Sequence, residues 1–224
     1  MKKLIISILP FIMLSGCYAR EMVLIDPVVS FQEQGVKNIL FVGFNTQNNV
    51  KVTPKFKAKL EDNIYKEFEK FTAVKVTKIS SSDKLPDNYR SQDLVNMANK
   101  YKVDLLVVGD IRNYIESKYV DQPIQGFYDN PGLVNNQNSV RTLNKFQVNV
   151  LGSINLIKAD GRVLWTQRIE DMELTQFENI SSINQMNRGT NNQELVAYSN
   201  ARDKLADIIT NKLVTNLLPY YTYK

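Results

Sequence analysis

The chain has 224 residues, 43% apolar and 23% charged, the balance of one ordinary globular domain or at most two small ones rather than of a disordered, collagen-like or multi-span membrane chain. It has no histidine and one cysteine. That removes every serine–histidine–aspartate or cysteine–histidine mechanism, imidazole ligation of zinc, and any intrachain disulfide. The formal net charge of +5 is too small and too scattered for a nucleic-acid partner.

Residues 1–3 are a short basic start, and residues 4–14 form an apolar run. At ~1.5 Å per residue this run is too short to cross a bilayer core of ~30 Å. A basic start followed by an apolar run of this length reads as an export signal. Leu14, Ser15, Gly16 and Cys17 follow, and they resemble the bacterial lipobox. The resemblance implies cleavage just before Cys17, a diacylglycerol on its thiol, and palmitate-type acylation. Residues 1–16 are then the signal peptide, and residues 17–35 a lipidated cysteine and tether. Two or more acyl chains give a stable anchor where one gives marginal binding. Tyr18, not aspartate, follows the cysteine, which in enteric-type sorting favours the outer membrane. The expected location is the outer membrane, lipid-anchored and facing the periplasm.

The tether, with Pro27 and Gly35, has no sustained period. Residues 36–44 are a short apolar run rich in β formers, a buried strand. Thr53 as cap and Pro54 at the first helical position open a helix. Its stripe is Phe56, Leu60, Ile64, Phe68 and Phe71. Residues 73–79 alternate as a second strand, and residues 80–89 form a polar loop. Ser91 caps a second helix in which Leu94, Val95, Met97 and Ala98 can pack. Residues 103–111, the most apolar run, predict a central strand. Residues 119–145 read as a long loop, with Pro123, Gly126, Pro131 and Gly132.

Phe146, Val148, Val150, Ile154 and Leu156 alternate as a half-buried strand. Asp160-Gly161 signals a type I′ hairpin, and residues 163–172 return with Trp165 in the core. Residues 175–192 are polar. The last helix covers 193–218, with Leu195, Tyr198, Ala201, Leu205, Ile208, Ile209 and Leu213 as its buried face, and Pro219 ends it. The order β-α-β-α-β-(loop)-β-β-α predicts an α/β (α+β) sandwich, a mixed β-sheet with helices packed on it, over 36–218. Residues 219–224 are an aromatic tail that suits docking on a partner, a membrane interface or a frayed end.

This series of elements resembles the CsgG-like lipoproteins, which include a curli secretion channel, the Pel export lipoprotein, the lipoprotein activator of penicillin-binding protein and the amino-terminal domain of TolB. The resemblance rests on the run KNILFVGF, on LVNMANKYKVDLLVVGDI and on ADGRVLW, and covers residues 36–218. These motifs are structural rather than catalytic. They imply an outer-membrane lipoprotein acting as a non-catalytic, oligomeric component of an envelope export or assembly machine. The alternatives are a tethered activator of a periplasmic peptidoglycan synthase and a lipopolysaccharide-assembly lipoprotein of the LptE type.

Carboxylates are the one catalytic raw material, and Glu170, Asp171 and Glu173 cluster on the returning strand. Alternate residues of a strand face opposite sides, so Asp171 points away from Glu170, and a solvated strand edge is the expectation. Gly109 is expected to admit a close neighbour and Asp104 to cap a turn. No Walker loop, nucleophile elbow or dinucleotide fingerprint is present. The expectation is no enzyme, no catalytic residue, no cofactor and no metal. The partners implied are the membrane, through Cys17, envelope proteins and a homo-oligomer. Channel-forming members of that family insert two hairpins per subunit, at positions matching 113–145 and 174–192. Those segments lack a continuous apolar face, so no pore is expected.

Overall fold

The computed structural model describes residues 22–25, 27–47, 49–70, 74–83, 85–86, 89–120, 140–181, 190–217 and 220–223. The elements in chain order are β1 (Met22–Ile25), β2 (Asn38–Thr46), α1 (Pro54–Glu69), β3 (Lys75–Lys78), a 3-10 turn (Ser81–Asp83) and α2 (Ser91–Tyr101). They continue with β4 (Leu105–Val120), β5 (Val140–Lys158), β6 (Val163–Ser181), α3 (Thr190–Leu217) and β7 (Tyr220–Tyr223). The five-stranded sheet has the order β3-β2-β4-β5-β6. The expected α+β fold with a mixed sheet is found. β2 runs parallel to β3 and to β4, while β4, β5 and β6 are successively antiparallel. The expected central strand lies in the middle of this order.

Two cores follow from strand alternation. Ile39, Phe41, Leu105, Val107, Val148 and Leu156 face one side, where they meet Phe56, Leu60, Ile64 and Phe68 of α1 and Leu205, Ile209 and Leu213 of α3. Leu40, Leu106 and Val108 face the other side, against Leu94 and Ala98 of α2. Both faces of β2 and β4 are therefore buried, which is why their runs are continuously apolar. Phe71, the fifth member of the expected α1 stripe, lies outside the described residues.

Several expectations are corrected. Within 18–35, read as a tether, Met22–Ile25 pairs antiparallel with Tyr220–Tyr223 of the tail, and Val29 and Phe31 belong to the larger core. The Val28 N–H also donates to the Asn216 carbonyl of α3 at 2.8 Å. The expected loops at 119–145 and 175–192 begin and end inside strands, since β4 reaches Val120, β5 starts at Val140 and β6 reaches Ser181. These strand ends carry no sustained apolar alternation in sequence, so they look like a loop. Leu195 is 64% exposed rather than part of the α3 stripe. Six residues separate it from Ala201, about 240° round the helix. The N-cap of α2 is Arg90, and Ser91 is already helical. The Asp93 carboxylate accepts the Arg90 N–H at 2.7 Å, so an acid in the first turn closes this helix start.

The hairpin at Asp160-Gly161 forms with different chemistry from the expected type I′. The Lys158 N–H donates to the Arg162 carbonyl at 2.8 Å and the Gly161 N–H to the Lys158 carbonyl at 2.8 Å. Gly161 has φ +87°, while Asp160 is not left-handed. This is a three-residue loop with glycine in the left-handed position, where type I′ needs two such residues.

Candidate functional site

β4, β5 and β6 have 16, 19 and 19 residues, against 9 in β2 and 4 in β3. β2 stops pairing with β4 at Ile111, so Asn113–Val120 pairs with β5 alone. Beyond that point the sheet continues as a three-stranded blade, with β5 and β6 each about 60 Å long at ~3.3 Å per residue. α3 lies on one face of it. Among the described residues, nothing packs on the opposite face past the reach of α2.

The register sets the residues of that face in rows: Ile115, Asn149 and Met172, then Ser117, Gln147 and Leu174, then Tyr119, Lys145 and Gln176. Ile115, Tyr119, Met172 and Leu174 are 45%, 48%, 59% and 42% exposed. The Gln147 amide donates to Asn149 Oδ1 at 3.0 Å and also contacts Met172 Sδ. Exposed apolar groups interleaved with amides on one sheet face suit a protein contact.

A polar clamp on the other face holds the base of the blade. Arg202 of α3 donates two bonds to Glu116 of β4, Nε to Oε1 at 2.8 Å and a terminal nitrogen to Oε2 at 2.7 Å. Thr53, the α1 cap, donates its hydroxyl to Glu116 Oε1 at 2.7 Å, and the Tyr114 hydroxyl donates to the same oxygen. Burial would raise the Glu116 pKa, but the bonds from Arg202, Tyr114 and Thr53 hold it down to about 2. Burial, and then the bond to Glu116, push the Tyr114 phenol up. The Arg202 guanidinium lies 5.5 Å from the centre of the Tyr198 ring, which packs on Phe146. The clamp thus joins α1, β4, β5 and α3. Both Glu116 oxygens accept hydrogen bonds, which hold the carboxylate in place.

The three carboxylates predicted on β6 are placed as alternation requires, with a correction to their setting. Glu170 is exposed and pairs with Arg168 at 3.0 Å. Asp171 and Glu173 face α3 instead of solvent, paired with Lys212 and with Lys204 at 3.6 Å. Asp104 accepts the Lys37 and Asn38 N–H groups at 2.9 and 2.8 Å and so caps the start of β2. At Gly109 a Cβ would lie 2.3 Å from the Phe44 ring, the close approach expected there. Trp165 packs half-buried against the larger core. Leu14, Ser15, Gly16 and Cys17 lie outside the described residues. Glu116, Arg202, Met172 and Leu174 were not singled out by sequence as site residues, since none stands in a motif.

A cleft of about 410 Å³ opens at the carboxyl ends of β2 and β3, lined by Phe44, Thr46, Lys57, Glu61, Lys78 and Leu85 among others. Its carboxylate, Glu61, accepts the Phe44 N–H at 2.8 Å beside the β2 bulge at Gly43. Among the described residues, no group of three or more histidine, cysteine, aspartate or glutamate side chains is placed to hold a metal. No described helix is long and apolar enough to cross a membrane.

No family model and no curated protein matches the chain. Among solved structures, the chain is similar to a PelC dodecamer from Paraburkholderia phytofirmans, with 10% identity over 85% of this chain and 96% of that one and a TM-score of 0.35. It is similar to a neuraminyllactose-binding hemagglutinin homologue from Helicobacter pylori, with 11% identity, 80% and 86% coverage and a TM-score of 0.39. It is also similar to the LpoB C-terminal domain from Salmonella enterica, with 9% identity, 63% and 88% coverage and a TM-score of 0.34. At these identities and TM-scores, none of the three establishes a family for this chain.

Proposed function

We propose that this protein is a lipid-anchored, non-catalytic component of the bacterial envelope, held at the outer membrane and facing the periplasm. It works by presenting the blade of β4, β5 and β6 to other envelope proteins. The observation that carries this reading is the uncovered face with Ile115, Tyr119, Met172 and Leu174 exposed among amides. The lipobox resemblance at Leu14, Ser15, Gly16 and Cys17 supports the anchor. β1 begins at Met22, so at ~3.3–3.6 Å per residue the folded unit starts within about 18 Å of an acylated Cys17.

The anchor is tested by metabolic labelling with a palmitate analogue. The natural chain is expected to take the label and to fractionate with membranes. Cys17→Ser is expected to take none and to appear in the soluble periplasmic fraction. Label retained by Cys17→Ser overturns the reading. A second measurement concerns transport. The face with Gln147 and Asn149 and the face with Glu116 and Lys118 both carry polar groups along the blade, and neither suits lipid. The lipidated protein is expected to leave the conductance of planar bilayers unchanged. Discrete conductance steps would make it a channel former.

A further inference from the structure

β6 is the last strand of the sheet, and among the described residues no strand pairs along its outer edge. A long open edge is a template for another strand. The direction of its free groups follows from the hairpin. The Lys158 N–H donates to Arg162 across it, so the even-numbered residues of β5 bond toward β6. These stand opposite odd-numbered residues of β6, as Ile154 opposite Gln167 and Gly152 opposite Ile169. The even-numbered residues of β6 therefore aim their N–H and C=O groups outward. The Gln167 side chain agrees with this: it reaches round the edge and donates to the Arg168 carbonyl at 3.0 Å.

We infer that this edge pairs antiparallel with the same edge of a second copy, about a two-fold axis at Ile169. The occupant and the register follow from charge. In a two-fold pair, residues whose numbers are equally far from the axis stand opposite each other. An axis at Arg168, Glu170, Asp171 or Glu173 sets that charge against its own copy. An axis at Met172 sets Asp171 against Glu173. The axis at Ile169 places Arg168 opposite Glu170 of the second copy, twice by symmetry, and sets Gln167 opposite Asp171. Arg168 and Glu170 are both outward residues, so each such pair also exchanges two backbone hydrogen bonds, the strand's N–H replacing the Gln167 amide on the Arg168 carbonyl. Their side chains are 72% and 67% exposed and are free to turn from each other to the second copy. Exposed Met172 then lies opposite Thr166 of the second copy. The pairing continues one sheet across both copies and closes the edge. It does not depend on acylation of Cys17.

The test is the mass of the full chain in density-matched detergent by sedimentation equilibrium, with a charge-exchange cycle. The natural chain is expected at twice its monomer mass. Arg168→Glu and Glu170→Arg each set like charges opposite one another at two places and are expected to weaken association at least about tenfold. The double variant Arg168→Glu/Glu170→Arg restores the pairs and is expected to restore the dimer. Met172→Pro removes an outward N–H at an edge position, where proline is tolerated within the subunit, and is expected to give monomers. A monomeric natural chain overturns the inference. So does a dimer that neither single exchange weakens, or a folded double variant that stays dissociated.

Discussion

Leu205→Asp is expected to lower the stability of the fold by at least about 4 kcal/mol, since it both empties an apolar site and buries an unpartnered charge. Leu205 is 0% exposed, in the core that α3 shares with α1 and the sheet. The described residues of that core cluster are apolar side chains. A loss of this size is a large fraction of the stability of an ordinary domain. The measurement is the midpoint of denaturant unfolding. Asp203→Asn, two positions away on the exposed side of α3, is the control and is expected to shift stability by less than about 0.5 kcal/mol. An unchanged midpoint for Leu205→Asp would refute the placement of this helix face.

Arg202→Leu is expected to cost about 3 kcal/mol near neutral pH, because it leaves the Glu116 carboxylate at the base of the blade without its cation. The pH dependence carries the signature. In the natural chain the folded Glu116 pKa is about 2, below its unfolded value of 4.5. Its contribution is therefore full above pH 4.5 and is lost as pH falls toward 2. The full shift corresponds to roughly 3 kcal/mol, which solvent access to this part-buried group reduces to about 1–2 kcal/mol. Without Arg202 the burial cost is unopposed by charge, so the variant gains from protonation of Glu116 as pH falls. The gap between the natural chain and Arg202→Leu is expected to narrow steadily below pH 5. Adding Glu116→Gln to the variant keeps an acceptor for Tyr114 and Thr53 and is expected to recover part of the loss at pH 7. A gap that is constant from pH 7 to pH 3 would show that Arg202 acts by packing alone.

The two positions that anchor these predictions differ in how far sequence reveals them. Leu205 sits in a stripe with period near 3.6, so its burial is legible without the fold. Glu116 lies in a strand where it reads only as a charge interrupting an apolar pattern. Its cation is 86 residues away on another element. Thr53 shows the same division within one residue. A threonine before a proline is a correct sign of a helix start, and Pro54 does open α1. The Thr53 oxygen accepts no cap bond from the helix, though, and its hydroxyl instead donates to Glu116, 63 residues on. Local chemistry placed the boundary, and a tertiary contact took the hydroxyl.

The paired termini and the long strands follow the same logic. β1 and β7 have four residues each, too few for a period to show, and each exists as a strand only through the other. The open face of the blade mixes exposed apolar side chains with amides, so binary pattern shows no clear period there. Sequence by itself determined the elements whose side chains carry a repeating burial pattern: β2, α1, the first half of β4, the body of α3 and the alternation of β5. It also determined the lipobox resemblance at Cys17, since that motif is read linearly. Tertiary structure alone decided which charges meet and, among the described residues, which sheet face stays uncovered and which edge is open. Those properties depend on what stands opposite a residue, and hydrogen-bond registers and ion pairs between distant segments leave no period in the chain.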